Sequence, residues 1–119
     1  MRPYVLPVIE RPRRGIAPDD PYVRRFWVAV LGPAAVADLL RLIAAARQRR
    51  RIRLPVHLGV LIEARLVRRG PRGITVPLLV PPVPPHLERR MPPWLRAEHR
   101  RVVAGALRHR DDPPPPPPN

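Results

Sequence analysis

Proline constrains this chain more than any other residue type, because 21 of its 119 residues are proline. The ring fixes φ and removes a backbone donor, so helices and central strands must lie in the proline-poor stretches. Residues 1–18 are therefore predicted to form an extended, proline-rich arm, either strapped across the domain surface or gripping a partner or a nucleic-acid groove. Residues 111–119, with six consecutive prolines, are predicted to be a disordered polyproline tail. A single small, basic, helical domain is expected between them, over residues 19–110.

Local signals predict three helices in the first half of this domain. Asp20 can accept hydrogen bonds from the open N–H groups of a first turn, and Pro21 suits the first helical position. Gly32 is expected to end that helix, and Asp38 and Arg41 are expected to pair on the outer face of the next. Apolar residues recur at spacings of three and four through all three segments. The predicted helices span Pro21–Leu31, Pro33–Gln48 and Pro55–Ala64.

The second half predicts a β-hairpin and a last helix. Two stretches of β-compatible residues flank the glycine-bearing turn Gly70–Gly73. Pro77 is expected to make the second strand an edge strand, and Trp94 is expected to anchor the start of the last helix. The predicted elements are strands Arg65–Arg69 and Ile74–Val80, a polyproline segment Pro81–Pro85, a helical turn over 86–91 and a helix Trp94–Arg108. The fold class is predicted to be mostly α with a small β-hairpin.

The residue inventory argues against catalysis. The chain has no serine, cysteine or lysine to act as a nucleophile, and Thr75 is its single threonine. Without cysteine there is no disulfide framework or thiolate metal site, and no two histidines stand four apart. We expect no catalytic residue, no metal site and no cofactor, and therefore no enzyme.

No stretch suits a membrane span or a secretory leader. A span needs about 20 apolar residues, and Gly32-Pro33 breaks the longest uncharged run of interest. Residues 1–10 lack the apolar core of a signal peptide. The chain is expected to be cytoplasmic and not to bind membranes, although the last helix leaves a basic amphipathic membrane binder as an alternative.

Arginine supplies all 23 basic residues of a chain whose formal net charge is +14. Guanidinium groups bind phosphate oxygens bidentately, and such contacts release counterions from nucleic acid. Because arginine, proline, alanine and glycine codons are GC-rich, the composition also indicates a bacterial genome of high GC content. Codon drift is therefore an alternative source of part of the arginine excess. In that interpretation, the arginine run after the second helix is only a solvated helix end. The predicted nucleic-acid-binding residues are Arg47, Arg49, Arg50, Arg51, Arg53, Arg65, Arg68, Arg69 and Arg72.

The segment LIEARLVRRGPRGITV resembles the end of a recognition helix that runs into the wing of winged helix-turn-helix domains. The resemblance implies a winged-helix-like fold, with three helices plus a wing, extended here by a C-terminal helix and proline-rich arms. It places Arg68, Arg69 and Arg72 on the wing and implies a role in transcription regulation, with DNA favoured over RNA. The third helix offers Val56, His57 and similar residues where base-reading side chains are usual, so backbone contacts are expected instead.

A protein-interaction module is the alternative function. Such a protein would dock on a larger assembly, such as RNA polymerase, a ribosome or a phage or defence complex. Its docking segments would be residues 1–18 and 78–85, which carry apolar residues between prolines. The oligomeric state is left open by the sequence.

Overall fold

The computed structural model of the chain describes residues 2–11, 14–71 and 73–111, with side chains as far as residue 105. It has a mixed α/β fold with several helices and small sheets. A π-helical stretch Val23–Trp27 runs directly into α1, and the other helices follow along the chain. The helices are α1 (Val28–Leu31), α2 (Pro33–Arg47), α3 (Leu58–Glu63), α4 (Pro85–Glu88) and α5 (Pro93–Asp111). The strands are β1 (Tyr4–Val5), β2 (Val8–Glu10), β3 (Ile52–Arg53), β4 (Arg68–Gly70) and β5 (Gly73–Pro77).

The starts predicted for the first two helices and the break between them are confirmed, while α2 ends at Arg47 rather than Gln48. Asp20 accepts a hydrogen bond from the backbone N–H of Tyr22 at 2.8 Å, which satisfies one open donor of the first turn. Gly32 adopts a φ of 90°, a conformation that favours glycine, and separates α1 from α2. Pro33 then occupies the first turn of α2, where its missing N–H costs nothing.

The hydrophobic core is built around α2. Leu39 and Leu42 are fully buried on this helix. Trp27, the last residue of the π-helical stretch, is also fully buried and belongs to the same hydrophobic core. Complete burial stabilises each such side chain by about 1.5–3 kcal/mol relative to exposure. The indole of Trp27 is also satisfied, because its Nε1 donates to the carbonyl of Pro81 at 2.7 Å. The polyproline segment is thereby fixed to the core.

The N-terminal arm is an ordered strap that supplies strands to two different sheets. β1 pairs antiparallel with β3, with Tyr4 opposite Arg53. β2 pairs parallel with β5, so that the second sheet has the order β2-β5-β4. The arm therefore connects the segment after α2 to the hairpin that follows α3.

Two expectations for the hairpin were wrong. Arg65 does not begin a strand but lies in the turn after α3, and β4 begins only at Arg68. β5 is the central strand of its sheet rather than an edge, because β2 from the arm covers its other side. Pro77 is tolerated there as the last residue of β5, where the N–H of Leu78 donates to Glu10 O at 2.9 Å instead.

Three further expectations need correction. α3 begins at Leu58 rather than Pro55, since hydrogen bonds from His57 to Asp38 hold the preceding residues outside the helix. Asp38 does pair with Arg41, but it is buried instead of lying on an outer face. Trp94 does not anchor α5, because 65% of its surface is exposed, while Leu95 makes the buried contact. From residue 112 on, the predicted tail lies outside the described residues.

Candidate nucleic-acid interface

The structure exposes every predicted binding arginine that it describes. Four of them lie at or just beyond the end of α2, one in β3, one after α3 and two in β4, and Arg72 lies outside the described residues. The exposed set is Arg47, Arg49, Arg50, Arg51, Arg53, Arg65, Arg68 and Arg69. Within the described part of the chain, Arg68 has a carboxylate partner in Glu10, and no acidic oxygen lies within 4.0 Å of the other seven.

The backbone at the end of α2 is held in an unusual conformation. The N–H of Arg50 donates to Ala45 O at 2.9 Å, and the N–H of Arg49 donates to Ala46 O at 3.2 Å. This reciprocal pair is a Schellman motif, which requires a left-handed residue just past the helix. Arg49 provides it with a φ of 51°. A left-handed conformation costs about 1–2 kcal/mol for an L-residue, and glycine is the usual occupant.

The end of α3 repeats the same arrangement with a second arginine. The N–H of Leu66 donates to Leu61 O at 3.0 Å, and the N–H of Arg65 donates to Ile62 O at 2.9 Å. Arg65 has a φ of 61°. Among the described residues, Arg49 and Arg65 are the non-glycine positions with positive φ. Both strained positions thus hold a predicted binding residue.

A groove of about 420 Å³ lies where the arm meets β3 and the segment before α3. We call it the arm groove. Its lining includes the three arginines Arg2, Arg41 and Arg53, together with His57 and the carboxylate of Asp38. Three arginines thus line one concave surface, and guanidinium groups are suited to an anion with several oxygen atoms.

Asp38 is already engaged at the base of this groove. It accepts hydrogen bonds from the backbone N–H of His57 at 3.2 Å, from His57 Nδ1 at 2.9 Å and from Arg41 Nη1 at 3.1 Å. Because an ionised carboxylate only accepts, Nδ1 of the imidazole carries the proton in this contact. Nε2 is then the ring atom left for another partner, and the His57 side chain is 40% exposed.

An aromatic ring contacts Arg53, one of the arginines that line the arm groove. The guanidinium carbon of Arg53 lies 5.4 Å from the centroid of the Tyr4 ring, which is within the range of a cation–π contact. Arg53 Nη2 also lies 3.4 Å from the Tyr4 hydroxyl oxygen. The two residues are opposite partners in the β1–β3 ladder, so the backbone fixes their relative position. Tyr4 nevertheless keeps 61% of its surface exposed.

A second basic groove, of about 310 Å³, lies beside the hairpin. Its lining includes Arg14, Arg65 and Arg68, with Glu10 from β2. Glu10 forms an ion pair with Arg68. The arm links this hairpin groove to the arm groove, because Arg2 lines one and Glu10 of β2 lines the other. Five residues separate Tyr4 from Glu10, a span of at most about 22 Å.

Sequence reasoning missed several residues of both grooves. The sequence did not predict nucleic-acid binding by Arg2, Arg14, Arg41 or His57. It placed Tyr4 only within the N-terminal arm. The strand pairings of the arm join residues that are far apart in the chain, such as Tyr4 and Arg53. No local periodicity reports such a pairing. Tyr4 and Arg53 are residue types that attract each other, but their separation along the chain hides the contact.

A buried polar network lies away from these grooves. His99 is buried between Glu88 and Tyr22, with Nδ1 at 2.6 Å from Glu88 Oε2 and Nε2 at 2.5 Å from the Tyr22 hydroxyl oxygen. The N–H of Val83 donates to that hydroxyl oxygen at 2.9 Å, and Arg100 Nε donates to Glu88 at 3.1 Å. Each member of the network has hydrogen-bond partners. The network therefore joins α4, α5 and the polyproline segment to Tyr22, just before the π-helical stretch.

Burial and charge shift the pKa values of two members of this network. Burial raises the pKa of Tyr22 to about 12, against a partly opposing hydrogen bond from Val83 N–H. Burial also acts to raise the pKa of Glu88, but hydrogen bonds from His99 and Arg100 outweigh it. The pKa of Glu88 therefore lies below its ordinary value. None of the grooves described above includes these residues, so we interpret the network as structural.

Comparison with protein-family models, curated proteins and solved structures found no match to this chain. Within the described ranges, no helix combines the length and the apolar character needed to cross a bilayer. The same residues contain no group of three or more histidine and acidic side chains placed to hold a metal ion. The two basic grooves and the exposed arginines outside them are therefore the features that bear on function.

Proposed function

We propose that this protein is a non-catalytic regulatory or accessory protein that binds nucleic acid, with DNA favoured over RNA, through phosphate contacts from its arginine clusters. The observation that carries the proposal is the pair of left-handed arginines, Arg49 and Arg65. Glycine would fit each Schellman position without the cost that arginine incurs. Strained backbone that persists in a native structure is a recognised mark of functional positions.

Codon bias does not account for this choice. Arginine and glycine both have GC-rich codons, and the chain uses glycine at six positions, so a GC-rich genome leaves glycine available for these two positions. The exposed location of both side chains also excludes packing as the reason. Selection for a guanidinium group at the ends of α2 and α3 explains the observation.

The charge distribution supports the same function. Among the side chains that the structure describes, no acidic oxygen lies within 4.0 Å of seven of the predicted binding arginines, so their charge is available to an external anion. A formal net charge of +14 adds a long-range attraction toward polyanions. In the winged-helix interpretation, the β4–β5 hairpin would serve as the wing and place Arg68 and Arg69 against the phosphate backbone.

The experiment is a fluorescence-anisotropy titration of duplex DNA, single-stranded DNA and structured RNA at about 50 mM salt. Simultaneous Arg49→Glu, Arg50→Glu and Arg51→Glu substitutions should weaken binding more than about tenfold. Arg49, Arg50 and Arg51 line neither groove, so the control variant reverses three exposed arginines that belong neither to the grooves nor to the predicted binding residues. It carries Arg24→Glu, Arg89→Glu and Arg101→Glu, which change the net charge equally.

The two variants separate site binding from general charge attraction. Binding that survives in the control variant and is lost in the α2-end variant supports the proposal. Equal losses of affinity in both variants would show that net charge alone drives the binding, which would contradict the proposal. The absence of binding to all three ligands would also refute it.

A protein-interaction module is the second candidate. Tyr4, Leu6 and Val8 alternate along the arm and expose 61%, 46% and 50% of their surfaces. The other predicted docking segment, residues 78–85, is less available, since Val80 and Val83 are buried. Truncating the arm would remove two strands, so the test is the pair Leu6→Ser and Val8→Thr. These changes should abolish capture of a protein partner and leave nucleic-acid binding intact.

A further inference from the structure

We infer that the arm groove is a nucleotide subsite for single-stranded nucleic acid, in which the groove arginines hold a phosphate and Tyr4 stacks on a base. This inference rests on the proposed function and narrows the class of ligand. It depends on the placement of an exposed aromatic ring beside a concave arginine cluster, and each of its parts can be tested separately.

The phosphate part of the subsite follows from the groove lining. Arg2, Arg41 and Arg53 line it, opposed by one carboxylate, Asp38. That carboxylate is buried and accepts three hydrogen bonds from Arg41 and His57, so Arg41 compensates its charge and Arg2 and Arg53 are left to hold a phosphate. A volume of about 420 Å³ falls within the range of about 300–1,000 Å³ typical of small-ligand pockets. A phosphate with its sugar therefore fits the available space.

The base part follows from Tyr4. Its ring is 61% exposed although it belongs to a strand, and burial therefore does not explain an aromatic residue there. Arg53 lies over the ring and also lines the groove, which puts the stacking surface next to the phosphate site. Base–aromatic stacking accepts every base, because each has a π-face, and it gains a cation–π contribution from arginine.

The need for an accessible base face selects single strands. In a duplex, the faces of the bases are stacked on their neighbours and an outside ring cannot reach them. The ladder pairing of Tyr4 with Arg53 holds the ring on a strand rather than on a loop tip able to insert between base pairs. A strand or duplex end with unpaired bases can occupy the subsite, and an intact duplex can use only the phosphate part.

The test compares two strands of equal length and charge, an oligothymidine and an abasic oligodeoxynucleotide, in anisotropy titrations at about 200 mM salt. The wild-type protein should bind oligothymidine about 5- to 150-fold more tightly than the abasic strand. Tyr4→Leu should remove this ratio by weakening only the oligothymidine complex. Tyr4→Phe, which keeps the ring, should preserve the ratio within about threefold.

The outcomes distinguish this inference from the proposed function. Equal wild-type affinity for the two strands, or a ratio that Tyr4→Leu leaves unchanged, would overturn the nucleotide subsite while leaving phosphate binding in place. Loss of binding to both strands in Tyr4→Leu would also overturn it, because that result assigns Tyr4 to the structure of the arm. No binding of either strand to the wild-type protein would refute the proposed function itself.

Discussion

His57 Nδ1 lies 2.9 Å from Oδ2 of Asp38, and the backbone N–H of His57 donates to the same oxygen at 3.2 Å. This double contact joins the middle of α2 to the residue that precedes α3. It is the reason why a carboxylate can be buried on α2, and it also sets the position of the imidazole in the arm groove. One aspartate thereby determines both a helix boundary and the shape of a candidate binding site.

Asp38→Ala should destabilise the protein by about 2–3 kcal/mol, because it leaves the N–H of His57 without its charged acceptor. Arg41→Ala removes the exposed partner of the same carboxylate and should cost less than about 1 kcal/mol. Urea unfolding of the two variants measures both effects. Equal losses of stability would contradict the assignment of the buried contact to His57.

Replacing the left-handed arginines by glycine should stabilise the fold while weakening binding. Arg49→Gly and Arg65→Gly each relieve about 1–2 kcal/mol of backbone strain and lose about 0.5–1 kcal/mol through the entropy of glycine. A net gain of about 0.5–1 kcal/mol per site should appear in denaturant unfolding. A glycine variant that gains no stability would show that the conformation is not strained, and the main support for the proposed function would be lost.

Stability should fall in alkali because of Tyr22. Its pKa is about 12 in the folded protein against 10.0 as the ordinary value, so the folded state favours the neutral phenol. The contribution is complete below pH 10 and is lost as the pH rises toward about 12. Urea midpoints across this window should decline in the wild type and in Tyr4→Phe. They should decline less in Tyr22→Phe, and a Tyr22→Phe profile identical to the wild type would contradict this.

Glu88 should make the protein sensitive to acid. Its folded pKa lies below the ordinary value of 4.5, so its contribution is present above that pH and is lost as the pH falls through the folded pKa. Glu88→Gln should lower the free energy of unfolding at neutral pH. It should also make that free energy fall less steeply as the pH is lowered below 4.5. Glu63→Gln, at an exposed position, is the matched control and should leave the acid limb as it is.

The helices near the N-terminus were predictable because their signals are local. Asp20 and Gly32 mark boundaries through hydrogen-bonding and backbone properties that depend only on neighbouring residues. The arrangement of the arm was not predictable in the same way. Residues 8–10 pair with residues 75–77 across the fold, and that choice depends on which strand edge α3 and the hairpin leave uncovered.

The candidate site shows the same division. The exposed arginines at the end of α2 could be read from the sequence as a run of charge, but their left-handed geometry could not, because glycine is the residue that normally signals it. Trp94 was expected to be buried on hydrophobicity alone, and tertiary packing placed Leu95 there instead. The arm groove depends on long-range pairing, so Arg2 and His57 gave no local signal.

The central claim is that arginines at the ends of α2 and α3 contact phosphates, and the salt dependence of binding tests it most directly. For a single-stranded oligonucleotide, the logarithm of the affinity should fall with the logarithm of the salt concentration at about −0.7 per phosphate contacted. We expect a wild-type slope of about −3 or steeper, corresponding to at least about four contacts. The variant with Arg49, Arg50 and Arg51 changed to glutamate should be shallower by about 2, and the variant with Arg24, Arg89 and Arg101 changed should keep the wild-type slope. A flat wild-type slope, or the same slope in all three proteins, would contradict the account.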